Sequence, residues 1–249
     1  VDKLLLGSIV DIELVSVYNA AWVVLLTGFI VPNVIRQSIT PLLAESVTIE
    51  SRLIQIIQSK KIVYSLIAIG VPVSIIISEV LLDMIFPESF IEDRAFPEFS
   101  GIGLFSILLP TWIWSMLACT NFESLKYNEN KWALSTVVGL SLSINFVVGL
   151  LLVREFSIIG VAIGSICAQF SIFLISSILQ MEEIGLPLRL VALEFSMGVL
   201  GTIGLILFAT REALWDPVFP GDVALLASMY LLMLAVGYSA EEKFSPQMG

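Results

Sequence analysis

A chain of 249 residues has the length of one or two water-soluble domains, but 57% hydrophobic against 14% charged residues, with a mean hydropathy of +0.98, lies outside soluble usage. The formal net charge of −10 disfavours non-specific nucleic-acid binding. With no histidine, imidazole catalysis, imidazole metal ligation and a histidine pH switch are all excluded. The composition is that of an integral membrane protein, and its runs are continuously apolar rather than alternating, which specifies helices and not barrel strands.

The first ten residues, Val1 to Val10, are too few to span a bilayer and read as the end of a helix that begins earlier. The start lacks Met, a basic n-region and a small-residue cleavage site, so it is not a signal peptide, and the chain reads as part of a longer protein. Seven apolar windows follow, at about 18–40, 62–86, 100–121, 132–153, 157–180, 190–210 and 222–239. Between the first two, Ile49, Leu53, Ile56 and Ile57 recur at helical spacing opposite Glu50, Arg52, Gln55, Ser59 and Lys60. That pattern predicts a helix lying flat in the interface, with a solvated linker as the alternative.

Lys and Arg favour cytoplasmic connections. Placing residues 45–61 inside puts Arg52, Lys60, Lys61, Lys126, Lys131, Arg189 and Lys243 in the cytoplasm and leaves Arg94, Arg154 and Arg211 outside, so the C-terminus is expected to be cytoplasmic. In this topology Arg154-Glu155 is a short external turn between two antiparallel spans. Gly160, Gly164 and Ala168, four residues apart, form a small-residue stripe that lets another helix approach closely.

Charges at membrane depth are the candidate functional groups. Arg36 lies between Pro32 and Pro41; there it is either a guanidinium facing a cavity and holding a phosphate, or an arginine reaching back to the interface. Asp2 and Lys3 are either a cavity pair or an interfacial one. Glu79 and Asp83 share a face at i, i+4 and are either a site for a coupling cation or two carboxylates facing external water. Glu194 reads as interfacial, and Asn145 and Gln169 as interhelical hydrogen-bonders. Pro32, Pro41, Pro72 and Pro110 are expected bends. Cys119 and Cys167 lack metal or redox spacing and read as small core residues. No nucleophile–base pair, P-loop or dinucleotide fingerprint occurs, so neither an enzyme nor a resident cofactor or metal is expected.

The string DKLLLGSIVDIELVSVYNAAW from Asp2, the segment Pro41 to Ser46, FPESFIEDRAFPEFSGIGLFSILLP and the block Asn145 to Phe170 resemble, in order and spacing, the C-terminal half of polysaccharide biosynthesis flippases of the multidrug/oligosaccharidyl-lipid/polysaccharide exporter superfamily. The resemblance implies an all-α lobe of a 14-helix transporter: residues 1–180 as the end of helix 7 and helices 8–12, and 181–249 as two added C-terminal helices with a short acidic tail. It implies translocation of a lipid-linked glycan across the cytoplasmic membrane by alternating access, with membrane lipids and an N-terminal lobe or second chain as partners and no nucleic acid. The segment FESLKYNENKW departs from the family pattern, which usually carries a small residue and Gly there. A cation-coupled drug exporter of the same superfamily, a membrane-embedded glycosyltransferase or polymerase, and a structural subunit are the alternatives.

Overall fold

In a computed structural model, which describes residues 6, 9, 10, 12–85, 101–127 and 132–214, every regular element is a helix and no strand occurs among the described residues. They are α1 (Ile12–Gly28), α2 (Ile30–Glu45), α3 (Ile49–Ile85), α4 (Gly101–Ser124) running into a 3-10 turn (Leu125–Tyr127), α5 (Trp132–Ile184) and α6 (Leu188–Leu214). Among the described residues, five helical stretches are long and apolar enough to cross a membrane: Val15–Glu45, Ile49–Ser78, Leu104–Tyr127, Trp132–Ile184 and Leu188–Ala209. The expected span at 222–239 lies outside the described residues.

The flat helix expected around 45–61 is instead the first third of α3, which runs unbroken for 37 residues. Its faces follow the amphipathic reading only in part: Ile56 is buried and Glu50 exposed as expected. Ile49 is exposed, whereas Ser59 and Lys60 are buried.

α4 is the centre of the assembly. It packs against each of the other five helices, and its membrane-length window is enclosed throughout. Two tryptophans two residues apart point to opposite sides of it, as the helical period of about 3.6 residues requires. Trp112 sits on α1 and α3, where a Cβ added to Gly70 would stand 2.8 Å from its ring. Trp114 sits on α6, where a Cβ on Gly198 would clash with its ring, and it also packs edge-on against Phe170 and tilted against Phe173 and Phe195. Trp114 Nε1 donates to Thr202 Oγ1 at 3.1 Å. Both glycines are therefore sockets for indoles.

Trp112 has a second role at the break between α1 and α2. Pro32 has no N–H, which frees the carbonyl of Gly28 four residues earlier. The indole Nε1 of Trp112 donates to that carbonyl at 2.8 Å, satisfying an acceptor that lipid could not. Pro41, Pro72 and Pro110 lie inside α2, α3 and α4, which continue through them.

α5 is two limbs. A straight helix of its 53 residues would be about 80 Å long, more than twice the hydrocarbon core. It reverses at Ser157, whose φ of 51° and ψ of −129° are non-helical, beside the exposed Arg154 and Glu155. The closeness of the limbs is shown by the glycines: a Cβ on Gly160 would lie 2.5 Å from the Leu152 carbonyl, and one on Gly164 3.0 Å from the Asn145 oxygen and the Gly149 nitrogen. Asn145 Nδ2 reaches Ser165 Oγ at 3.5 Å across the same seam. Ala168, further along the stripe, is buried.

Gly160→Ala forces backbone against backbone and is expected to destabilise the folded chain by about 2 kcal/mol or more. Gly139→Ala, on the outer limb with nothing within 4 Å of the new methyl, is expected to be neutral or slightly stabilising. Detergent-titrated unfolding followed by circular dichroism measures both; equal stability of the two variants would refute the close seam. Ser157→Gly relieves a positive φ and is expected to stabilise by about 1 kcal/mol in the same assay.

Candidate functional site

At one end of the bundle α2 ends and α3 begins, α4 and its 3-10 turn end and α5 begins, and α5 ends and α6 begins. Polar side chains concentrate toward that end. Arg52 on α3 donates from Nη1 to the Tyr127 carbonyl at 3.1 Å, and Tyr127 Oη donates to the Thr40 carbonyl at 3.0 Å. Thr40 Oγ1 and Lys126 Nζ donate to Glu123 Oε1 at 2.8 and 2.6 Å. Glu123 itself is buried, while Lys126 is half exposed, so this carboxylate is anchored from the aqueous side.

Deeper in, α3 and α6 are joined by charge. Lys60 Nζ lies 2.5 Å from Glu194 Oε1, with side-chain exposures of 1% and 0%. Tyr64, one turn on from Lys60, donates its hydroxyl to the same oxygen at 2.8 Å. The other carboxylate oxygen, Oε2, is buried with no hydrogen-bond partner. By helical rise Lys60 lies about 16 Å and Glu194 about 9 Å from the start of their helices. Both are buried in the bundle, and Lys60 lies within α3 rather than in a loop.

Two ions leave water for such a contact only when each satisfies the other, since moving either alone into low dielectric costs several kcal/mol. The counter-charge to Lys60 comes from a residue 134 positions away, so neither partner reveals the other locally. A sequence signal did exist: Lys60 and Tyr64 share a face at i, i+4, and Glu194 is the sole acid among the apolar residues from Leu188 to Thr210.

Between α4 and α5 runs a neutral polar seam. Asn121 Nδ2 donates to Ser177 Oγ at 2.9 Å, Ser124 Oγ donates to Gln180 Oε1 at 3.3 Å, and Gln180 Nε2 donates to the Asn121 carbonyl at 3.5 Å. All four side chains are buried, as interhelical hydrogen-bonding groups in membranes are. Asn145 makes the comparable contact within the α5 hairpin.

Arg36 is half buried on α2, its guanidinium carbon 5.4 Å from the centre of the Phe122 ring. Its Nε is buried without an acceptor, and no carboxylate among the described residues forms an ion pair with it. Glu79 and Asp83 fall in the last turns of α3, and their side chains lie outside what is described. Asp2 and Lys3 lie outside the described residues. Among the described residues, no three His, Cys, Asp or Glu side chains converge as a metal site requires.

The chain matches no family model, no curated protein and no solved structure. It is therefore described by class: an all-helical protein whose long apolar helices suit a membrane, with an ion pair sealed inside the helical bundle.

Glu194→Ala leaves the Lys60 ammonium buried and unpaired, and is expected to destabilise by about 3–5 kcal/mol. The double variant Lys60→Met with Glu194→Leu removes both charges and is expected to recover most of that loss. Equilibrium unfolding of the single and double variants in lipid–detergent micelles checks this; simple additivity of the two single losses would show that the charges do not interact.

Proposed function

We propose that this chain forms one lobe of an alternating-access exporter that carries a lipid-linked oligosaccharide or polysaccharide precursor from the cytoplasmic to the outer leaflet of the cell membrane. The observation that carries the reading is Arg36, a cation on a helix containing Pro32 and Pro41, without a carboxylate partner among the described residues and with a buried, unsatisfied Nε. A guanidinium so placed suits a phosphate, whose oxygens accept its N–H groups in pairs, and the face of Phe122 keeps it from folding back. The resemblance of Asp2 to Gln180 to the C-terminal half of polysaccharide flippases supplies the substrate class.

In this reading the two limbs of α5 are separate spans, and with 222–239 the chain contributes seven, with a cytoplasmic C-terminus. The end at which α2, α4 and the second limb of α5 finish then faces the cytoplasm, where a lipid-linked precursor is loaded. Arg36 meets the phosphate, with Lys3 as the second cavity cation and Asp2 as its pair partner. A single lobe encloses half a cavity, so an N-terminal lobe or second chain completes it.

Arg36→Ala in the complete protein is expected to lower cell-surface glycan at least tenfold in a flippase-deficient strain, and Arg36→Lys to restore it only partly, since an ammonium lacks the paired donors. Unchanged surface glycan in Arg36→Ala, with normal protein abundance, would overturn the phosphate role.

A further inference from the structure

Glu194 presents an asymmetry that a purely structural ion pair would not need. Both donors, Lys60 Nζ and Tyr64 Oη, converge on Oε1, while Oε2 is buried and unpartnered. An apolar pair of similar volume recovers most of what the ion pair contributes between α3 and α6, so stability alone does not call for charges here. A half-satisfied polar network is unfavourable unless its vacant acceptor is used.

We propose that Glu194 is a proton-binding site, taking a proton on Oε2 while Oε1 continues to accept from Tyr64. The proton comes from water and goes to the carboxylate; no covalent bond other than the new O–H forms, and the Lys60–Glu194 attraction is lost. Lys60 is then a buried cation without a counter-ion, and it must reach another anion or water. Proton binding is thereby linked to movement of α3 relative to α6, and an anion that engages Lys60 favours proton uptake by Glu194 reciprocally. The charged and titratable groups around the site are Lys60 and Tyr64 on α3, Cys119 on α4, which lies within the electrostatic reach of Lys60, Glu194 and the Arg36 of α2, and Glu123 one turn beyond Cys119. A sodium ion is the poorer occupant, because the Lys60 ammonium already stands on the neighbouring oxygen.

The use made of the proton rests on the transporter reading, but its binding does not. Infrared difference spectra of the full chain in lipid nanodiscs, recorded on stepping the pH downward from neutral over the range in which the fold persists, test it directly. The expected result is a protonated-carboxyl C=O band that shifts with carbon-13 glutamate labelling, moves in Tyr64→Phe, and is lost in Glu194→Gln. Glu194→Asp, the safer variant for folding, is expected to retain the band at a shifted frequency that no longer responds to the glutamate label. A labelled wild-type protein with no such band, a band unchanged in both Glu194 variants, or a band removed by sodium at constant pH would each overturn the proposal. A band present in a protein that does not restore glycan export would retire the transporter reading and leave the site standing.

Discussion

The structure depends on the complete enclosure of α4. A helix surrounded on every side by other helices has no face to give to lipid or water, so each of its neighbours must meet it at close range. Trp112 and Trp114 turn that demand into geometry. Each indole is too large for an ordinary helix surface, and each finds a glycine on a neighbouring helix, Gly70 on α3 and Gly198 on α6. The same two indoles carry N–H groups that have to be satisfied away from water. One closes the carbonyl opened by Pro32, and the other binds Thr202. Packing and hydrogen bonding are thus handled by the same side chains, which fixes the rotation of α4 against α1, α3 and α6 at once.

Much of this was legible in the sequence where the cause was local. Continuous apolar runs gave helices, and the charges of Arg154-Glu155 between two such runs gave a reversal, because a helix cannot continue for 53 residues through a layer of about 30 Å. The stripe of Gly160, Gly164 and Ala168 could be assigned to close packing from spacing alone. What spacing does not say is what a glycine packs against: Gly160 and Gly164 meet the preceding limb of their own hairpin. Gly70, in line with Ser74 and Ser78, and Gly198, in line with Thr202, meet not a helix backbone but a single large ring on another helix.

The segment around Lys60 shows where the local pattern misleads. Reading 45–61 as amphipathic assumed that charged and hydroxylated side chains mark the wet face, which holds for a helix judged by itself. The burial of Ser59 and Lys60 depends on Glu194 across the bundle, and a periodicity window has no access to that residue. The same non-locality applies to Glu123, held by Thr40 from a helix 83 residues earlier. Charges within apolar helices are therefore best sought in opposite-signed pairs across the whole chain rather than graded one at a time by depth.

The polar inventory is also unevenly distributed along α4, and this bears on how the bundle can move. Toward the connection end, Asn121, Glu123 and Ser124 tie α4 to α5 and α2 through directional hydrogen bonds. Toward the other end, Leu104, Phe105, Leu108 and Leu109 make apolar contacts, next to a cavity of about 150 Å³ bordered by Gly28, Ser74 and Trp112. Directional bonds resist sliding because each must be broken at once, whereas apolar side chains beside unfilled volume can shift with little loss of contact. α6 is held to α4 by Trp114 and to α3 by the contacts of Lys60 and Tyr64 with Glu194, so the α3–α6 junction centres on one carboxylate. A change in the charge of that carboxylate acts on both contacts at once, and this makes the junction a place at which a local chemical event can become a displacement of helices.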